Sequence, residues 1–221
     1  MRVTRLRWPQ GRGWLQIGVH VGALFPLAKM IWDFWFEQLT VNPIQELTLR
    51  TGWHALVFLI LSLACTPINT LFGWRQFLPL RKPLGLYAFM YAALHFLIFV
   101  GLDYGLDPEL IWEATFEKRY ALVGFSAFVI LAALAITSTQ GWQRRLRKNW
   151  KRLHRFVYLA GILVIVHFYM LVKADVRRPL AYGAVIVVLL LIRTPWVRKQ
   201  VRKFRNQFSW TRKKGAVADG V

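Results

Sequence analysis

Apolar residues run along this chain in long blocks, without the alternation and turn signals of a membrane β-barrel. Six blocks approach the roughly 20 residues needed to cross a hydrocarbon core of about 30 Å. They lie at about 13–32, 49–70, 83–102, 119–138, 153–173 and 179–197. Pro67, Pro83, Pro179 and Pro195 fall at or near block ends, where a missing N–H costs least. The pattern predicts an all-α integral membrane protein with six transmembrane helices. A basic stretch precedes the first block, as in a signal peptide. His20, Pro26 and Lys29 interrupt that block and no small-x-small site follows, so it reads as a retained span. The expected organisation is a basic N-terminus (1–12), a transmembrane domain (13–197) and a basic tail (198–221).

Charge orients this bundle. Arg2, Arg5, Arg7 and Arg12 precede span 1, and Arg75, Arg81 and Lys82 join spans 2 and 3. Arg144, Arg145, Arg147, Lys148, Lys151, Arg152 and Arg155 join spans 4 and 5, and nine more cations follow from Arg193. Asp33, Glu37, Glu46, Asp103, Asp107, Glu109, Glu113 and Glu117 occupy the opposite connections. The positive-inside rule then places both termini in the cytoplasm. Lys173, Arg177 and Arg178 are exceptions on the outer side, where snorkelling to headgroups accounts for them.

The chain is 56% hydrophobic with a mean hydropathy of +0.37, too apolar for an ordinary soluble domain. Its net charge of +20 marks topology and attraction to anionic headgroups, and no nucleic-acid partner is expected. The single cysteine, Cys65, excludes an internal disulfide, a Cys-ligated iron–sulfur cluster and C-x-x-C-H attachment of haem. No internal repeat is evident, and there is no P-loop or strand-linked G-x-G-x-x-G. A nicotinamide- or FAD-binding domain is therefore not expected in this chain.

The chemistry rests on histidines. His95 and His167 lie deep in apolar runs, where titratable groups pair, ligate or relay. At about 1.5 Å per residue they sit roughly 10 and 9 Å from the outer ends of spans 3 and 5, level on two parallel helices. That placement suits a bis-histidine haem b. His154 lies 13 residues before His167, and span 3 offers Lys82 and Pro83 at the matching depth, not a histidine. Its nearest candidate partner is His20. His54 is level with the deep pair and could replace either ligand, yet as an interfacial histidine beside Trp53 it needs no such role. Met90 and Met170 read as packing residues.

TGWHAL (51–56), LGLYAFMYAALHFLIF (84–99), LAITSTQGWQRRL (134–146), WKRLHRFVYLAGILVIVHF (150–168) and RRPLAYG (177–183), with LQIGVHVGALFPL (15–27), resemble the MsrQ (YedZ) family. The resemblance implies a ferric-reductase-like transmembrane bundle in the bacterial inner membrane, with haem b and FMN as cofactors. It also implies electron transfer from the quinone pool to a periplasmic molybdenum-containing partner, MsrP, which would reduce methionine sulfoxide in oxidised proteins. The family's haem-linked histidines fall on His95, His154 and His167, with His154 attached to a possible second haem. No segment identifies an FMN site. Competing expectations are a ferric or quinone reductase acting on a small acceptor, and a proton-coupled transporter relaying through histidine.

Overall fold

The computed structural model describes residues 12–172, 175–201 and 203, and every regular element among them is helical. In order these are α1 (Arg12–Trp35), α2 (Pro43–Phe72), a 3-10 turn (Arg75–Leu80), α3 (Arg81–Ile98) with a π-helical turn (Phe99–Asp103), α4 (Pro108–Phe116), α5 (Arg119–Ile136), α6 (Gln140–Leu146), α7 (Lys148–Leu153), α8 (Phe156–Leu171) and α9 (Arg177–Ile192). The N-terminal stretch 1–11, Lys173 and the tail beyond 203 lie outside the described residues.

Among the described residues five stretches are long and apolar enough to cross a bilayer: Gly13–Trp35, Pro43–Phe72, Arg75–Asp103, Arg119–Ile136 and Lys148–Leu171. The expected span at 179–197 is not one straight helix. α9 is followed by a helix at Pro195–Val201 turned by 73°, and only the two together make a sixth candidate. Pro195 has no N–H and disfavours helical backbone at Thr194, so the chain turns there. The expected span at 153–173 falls within Lys148–Leu171, a single candidate span in which a turn at His154 and Arg155 separates α7 from α8.

Local signals account for the boundaries that periodicity misses. Asn42 caps α2 by accepting from the Gln45 amide at 3.1 Å, and Pro43 follows it. α2 ends on Gly73, whose φ of +76° closes the helix with a hydrogen bond to the Asn69 carbonyl. Asp107 caps α4 through the amides of Glu109 and Leu110. α6 starts inside the TSTQ motif, where Thr139 accepts from the Trp142 amide.

Two hairpins carry the bundle, α2 packed on α3 and α5 packed on α8. They join through α3 and α5, with α1 outside α2 and α3, and α9 against α8 and α2. Leu59, Leu63, Ala88, Tyr91 and Ala160 are buried at the centre. Val21, Leu97, Val187 and Leu191 are more than half exposed, as side chains facing lipid are.

Pro67 is not at a helix end but buried within α2. Its missing N–H leaves the Leu63 carbonyl, four residues earlier, without its helical donor. The Arg193 guanidinium fills that vacancy, donating from Nη2 to Leu63 O at 2.6 Å and from Nη1 to the Tyr158 hydroxyl at 3.0 Å. A cation that reads as part of the surface charge is thus buried, 8% exposed, and joins α9 to α2 and α8. Freed backbone groups within a membrane need such partners. At the opposite end, buried Asp33 accepts from Lys29 and Arg50, and Arg50 also pairs with Glu46. This network ties α1 to α2 beside Thr48 and Gly52.

Candidate functional site

His95 on α3 and His167 on α8 meet in the bundle, their ring centres 6.3 Å apart and their planes at 83°. His95 donates from Nδ1 to the Thr48 carbonyl at 2.8 Å, and His167 donates from Nδ1 to the Tyr120 carbonyl at 2.7 Å. Carbonyl oxygens only accept, so each Nδ1 carries the proton and each Nε2 keeps its lone pair. A histidine whose other nitrogen is fixed this way is oriented and more basic as a ligand.

The two halves repeat. Thr48 and Tyr120, Gly52 and Gly124, and His95 and His167 are each separated by 72 residues. In each hairpin the accepting carbonyl precedes a glycine by one helical turn, and the imidazole lies over that glycine. A Cβ at Gly52 would stand 3.1 Å from His95 Nδ1, and one at Gly124 would stand 2.7 Å from His167 Nδ1. Both glycines are required by close approach. This internal repeat escapes a reading of the sequence because it is carried by three positions in each half amid interchangeable apolar residues. The 72-residue offset between the glycines and between the histidines was the available signal. An aromatic stack of Phe96, Phe125 and Phe128 adjoins the pair between α3 and α5, and a π-helical turn follows His95 within one turn.

The remaining histidines go elsewhere. His154 is stacked on Trp150, with ring centres 4.1 Å apart, and its Nε2 lies 3.2 Å from Thr137 Oγ1. Thr137 is itself on a carbonyl, donating to Ala133 O at 2.7 Å, so its oxygen accepts from His154. Lys82 is the counterpart of His154 at the 72-residue offset, and both line a cavity. His20 does not meet His154; it is bonded to the Tyr87 hydroxyl at 2.8 Å, joining α1 to α3. His54 Nδ1 donates to the Arg50 carbonyl at 2.6 Å, and its ring stacks on Tyr91. Met170 is 38% exposed.

Among the described residues no group of three or more His, Cys, Asp or Glu side chains could hold a metal. The pair therefore suits an ion that brings its own equatorial ligands, as haem iron does. Two imidazoles binding one ion through Nε2 from opposite sides, at about 2 Å each, hold their ring centres roughly 6 Å apart. The residues present fit that group.

The fold is that of an all-helical transmembrane bundle, and the family model described as "Ferric reductase like transmembrane component" matches residues 51–166. Among relatives, the chain is 42% identical over 191 residues to a protein of Xanthomonas euvesicatoria pv. vesicatoria (strain 85-10), covering 84% of this chain and 87% of that one. It is 44% identical over 172 residues to one from Bordetella pertussis (strain Tohama I / ATCC BAA-589 / NCTC 13251), covering 77% and 84%. Both relatives bear the name protein-methionine-sulfoxide reductase heme-binding subunit MsrQ. No solved structure matches the chain. The chain belongs to the MsrQ family.

Proposed function

We propose that this chain is the haem b-bearing electron-transfer subunit of a methionine sulfoxide reductase system, with His95 and His167 as axial ligands. The observation that carries the reading is the 6.3 Å separation of two imidazoles whose Nδ1 protons are both committed to carbonyls. The relatives' names support the system to which the subunit belongs. When bound, haem b supplies a one-electron carrier. The chain's own residues fix both Nδ1 protons on carbonyls and leave both Nε2 lone pairs for a ligand. In the reading with basic connections in the cytoplasm, the pair lies in the periplasmic half of an inner-membrane bundle. Electrons drawn from the quinone pool would leave there for a periplasmic MsrP-type partner. FMN enters this reading through the family resemblance alone, and the limits 1–12, 13–197 and 198–221 belong to it also.

If His95 and His167 held haem iron with their planes at this 83°, the two iron orbitals that bond with the rings would be nearly equal in energy. Oxidised purified protein is therefore expected to show six-coordinate low-spin haem with a strongly anisotropic EPR signal. A colourless protein from haem-replete cells, or a high-spin signal alone, would count against the assignment. The second haem that the resemblance attaches to His154 would need its Nε2 released from Thr137 and a non-histidine ligand across the cavity. The haem-to-protein ratio distinguishes one haem from two. The ferric reductase match favours one alternative, reduction of a small acceptor, which would appear as metal-reductase activity in membranes lacking any periplasmic partner.

A further inference from the structure

The 72-residue repeat lets the surroundings of the two histidines be compared position by position, and one polar side chain breaks the match beside His95. The correspondence runs on past the glycines. His54 Nδ1 donates to the Arg50 carbonyl at 2.6 Å, and its counterpart Ser126 donates to the Leu122 carbonyl at 2.8 Å. Just before the glycine, however, the first half has Thr51 and the second has Val123, side chains of similar shape that differ by a hydroxyl. Thr51 is 2% exposed, and its hydroxyl is shared between Leu47 O at 2.7 Å and Thr48 O at 3.0 Å. The Thr48 carbonyl is the one that receives the His95 proton. We propose that Thr51 is a positioning residue of the pair: by competing for the Thr48 carbonyl it makes His95 the weaker ligand and raises the haem's reduction potential. This rests on the axial assignment proposed above.

The donors at each carbonyl give the asymmetry. Inside α2 and α5 both oxygens already accept the amide four residues on, from Gly52 and Gly124. Tyr120 O then has its second lone pair for His167. Thr48 O offers its second lone pair to His95 at 2.8 Å and to Thr51 at 3.0 Å, so three donors share two lone pairs. The His95 N–H is therefore held less strongly than the His167 N–H. An imidazole whose Nδ1 proton is held less strongly is a less basic ligand through Nε2. Ferric iron gains less from such a ligand than from a basic one, and the potential rises. The two imidazoles are chemically unequal.

Other polar groups of the same turn are engaged elsewhere. The Thr48 hydroxyl donates to Ile44 O at 2.8 Å, and the Arg50 guanidinium is held by Asp33 and Glu46. A threonine bonding back onto its own helix is ordinary, and Thr70 does so to Thr66 O at 3.0 Å. What sets Thr51 apart is that the carbonyl it shares is the one His95 uses.

The test is a spectroelectrochemical titration of the full chain in mild detergent, read on the haem component that His95→Ala removes. Thr51→Val is expected to keep haem content and the low-spin spectrum while the midpoint falls. The fall should favour ferric haem roughly threefold, the order of a weakened neutral hydrogen bond. At about 59 mV per factor of ten for one electron, that is about 28 mV. Thr51→Ser keeps the hydroxyl and should keep the wild-type midpoint. Val123→Thr gives His167 the same competitor, three residues after Tyr120, and should raise the midpoint. Thr70→Val, at the other end of α2, should leave it unchanged. A merely structural Thr51 would lower stability or haem content and leave the potential in place. An unmoved midpoint in Thr51→Val, an equal fall in Thr51→Ser, or no rise in Val123→Thr overturns the proposal. Failure of the axial assignment looks different: wild type lacks haem, or His95→Ala keeps its low-spin haem. Should Thr51→Val not accumulate, Val123→Thr carries the same test with the opposite sign.

Discussion

His95→Ala and His167→Ala are each expected to reduce bound haem to about a tenth of wild type or less, with the six-coordinate low-spin spectrum gone from what remains. Each substitution removes one Nε2 and leaves a carbonyl, Thr48 or Tyr120, without the proton it now receives. The controls are His54→Ala and His20→Ala. Their rings are hydrogen-bonded to Arg50 and Tyr87, and haem content should stay near wild type in both. Haem-to-protein ratios on purified membranes' protein decide it. Normal low-spin haem in either His95→Ala or His167→Ala would remove the pair as the axial set.

The second large effect comes from one carbon atom. Gly124→Ala puts a Cβ 2.7 Å from His167 Nδ1, closer than side-chain carbons approach a nitrogen without displacing it. The ring cannot retreat easily, because its Nδ1 is held to Tyr120 O on the same helical turn. Overpacking of this kind costs about 1–3 kcal/mol, which at 1.4 kcal/mol per factor of ten is roughly a five- to hundredfold loss in haem affinity. Gly52→Ala meets His95 at 3.1 Å and should cost less. Gly18→Ala, where nothing lies within 4 Å, should cost nothing. The order of the three, read by haem retention during purification, tests whether imidazole crowding is the cause. Equal losses at Gly52 and Gly124, or none, would refute it. An altered EPR anisotropy in Gly124→Ala would show the ring turned rather than the bundle unfolded.

Much of the bundle is legible in the chain because lipid imposes a one-dimensional rule. A helix must stay apolar for about 20 residues, so blocks such as 119–138 locate α5 almost to its ends. The same rule fails where a local bond overrides composition. α5 ends at Ile136 with Thr137 as its C-cap, and α8 starts only after the break at His154. Pro195 divides the last apolar block, which hydropathy joins. α4 is short and amphipathic, so span-length reasoning passes over it, although Asp107 and Pro108 mark its start.

For the site, equal depth on parallel spans was enough to pair His95 with His167, since rise per residue is constant in a helix. Depth says nothing of azimuth or of what each nitrogen touches. His20 and His154 looked like partners for want of others, and packing gave Tyr87 to one and Thr137 with Trp150 to the other. The sequence by itself determined the membrane class, the helix count to within the bent last segment, and the two histidines at one level. Packing alone settles which nitrogens remain free, that Gly52 and Gly124 make room for the rings, and that Lys82 and His154 line one cavity. Those features depend on distances between helices far apart in the chain, and such distances are set by packing rather than by any local pattern.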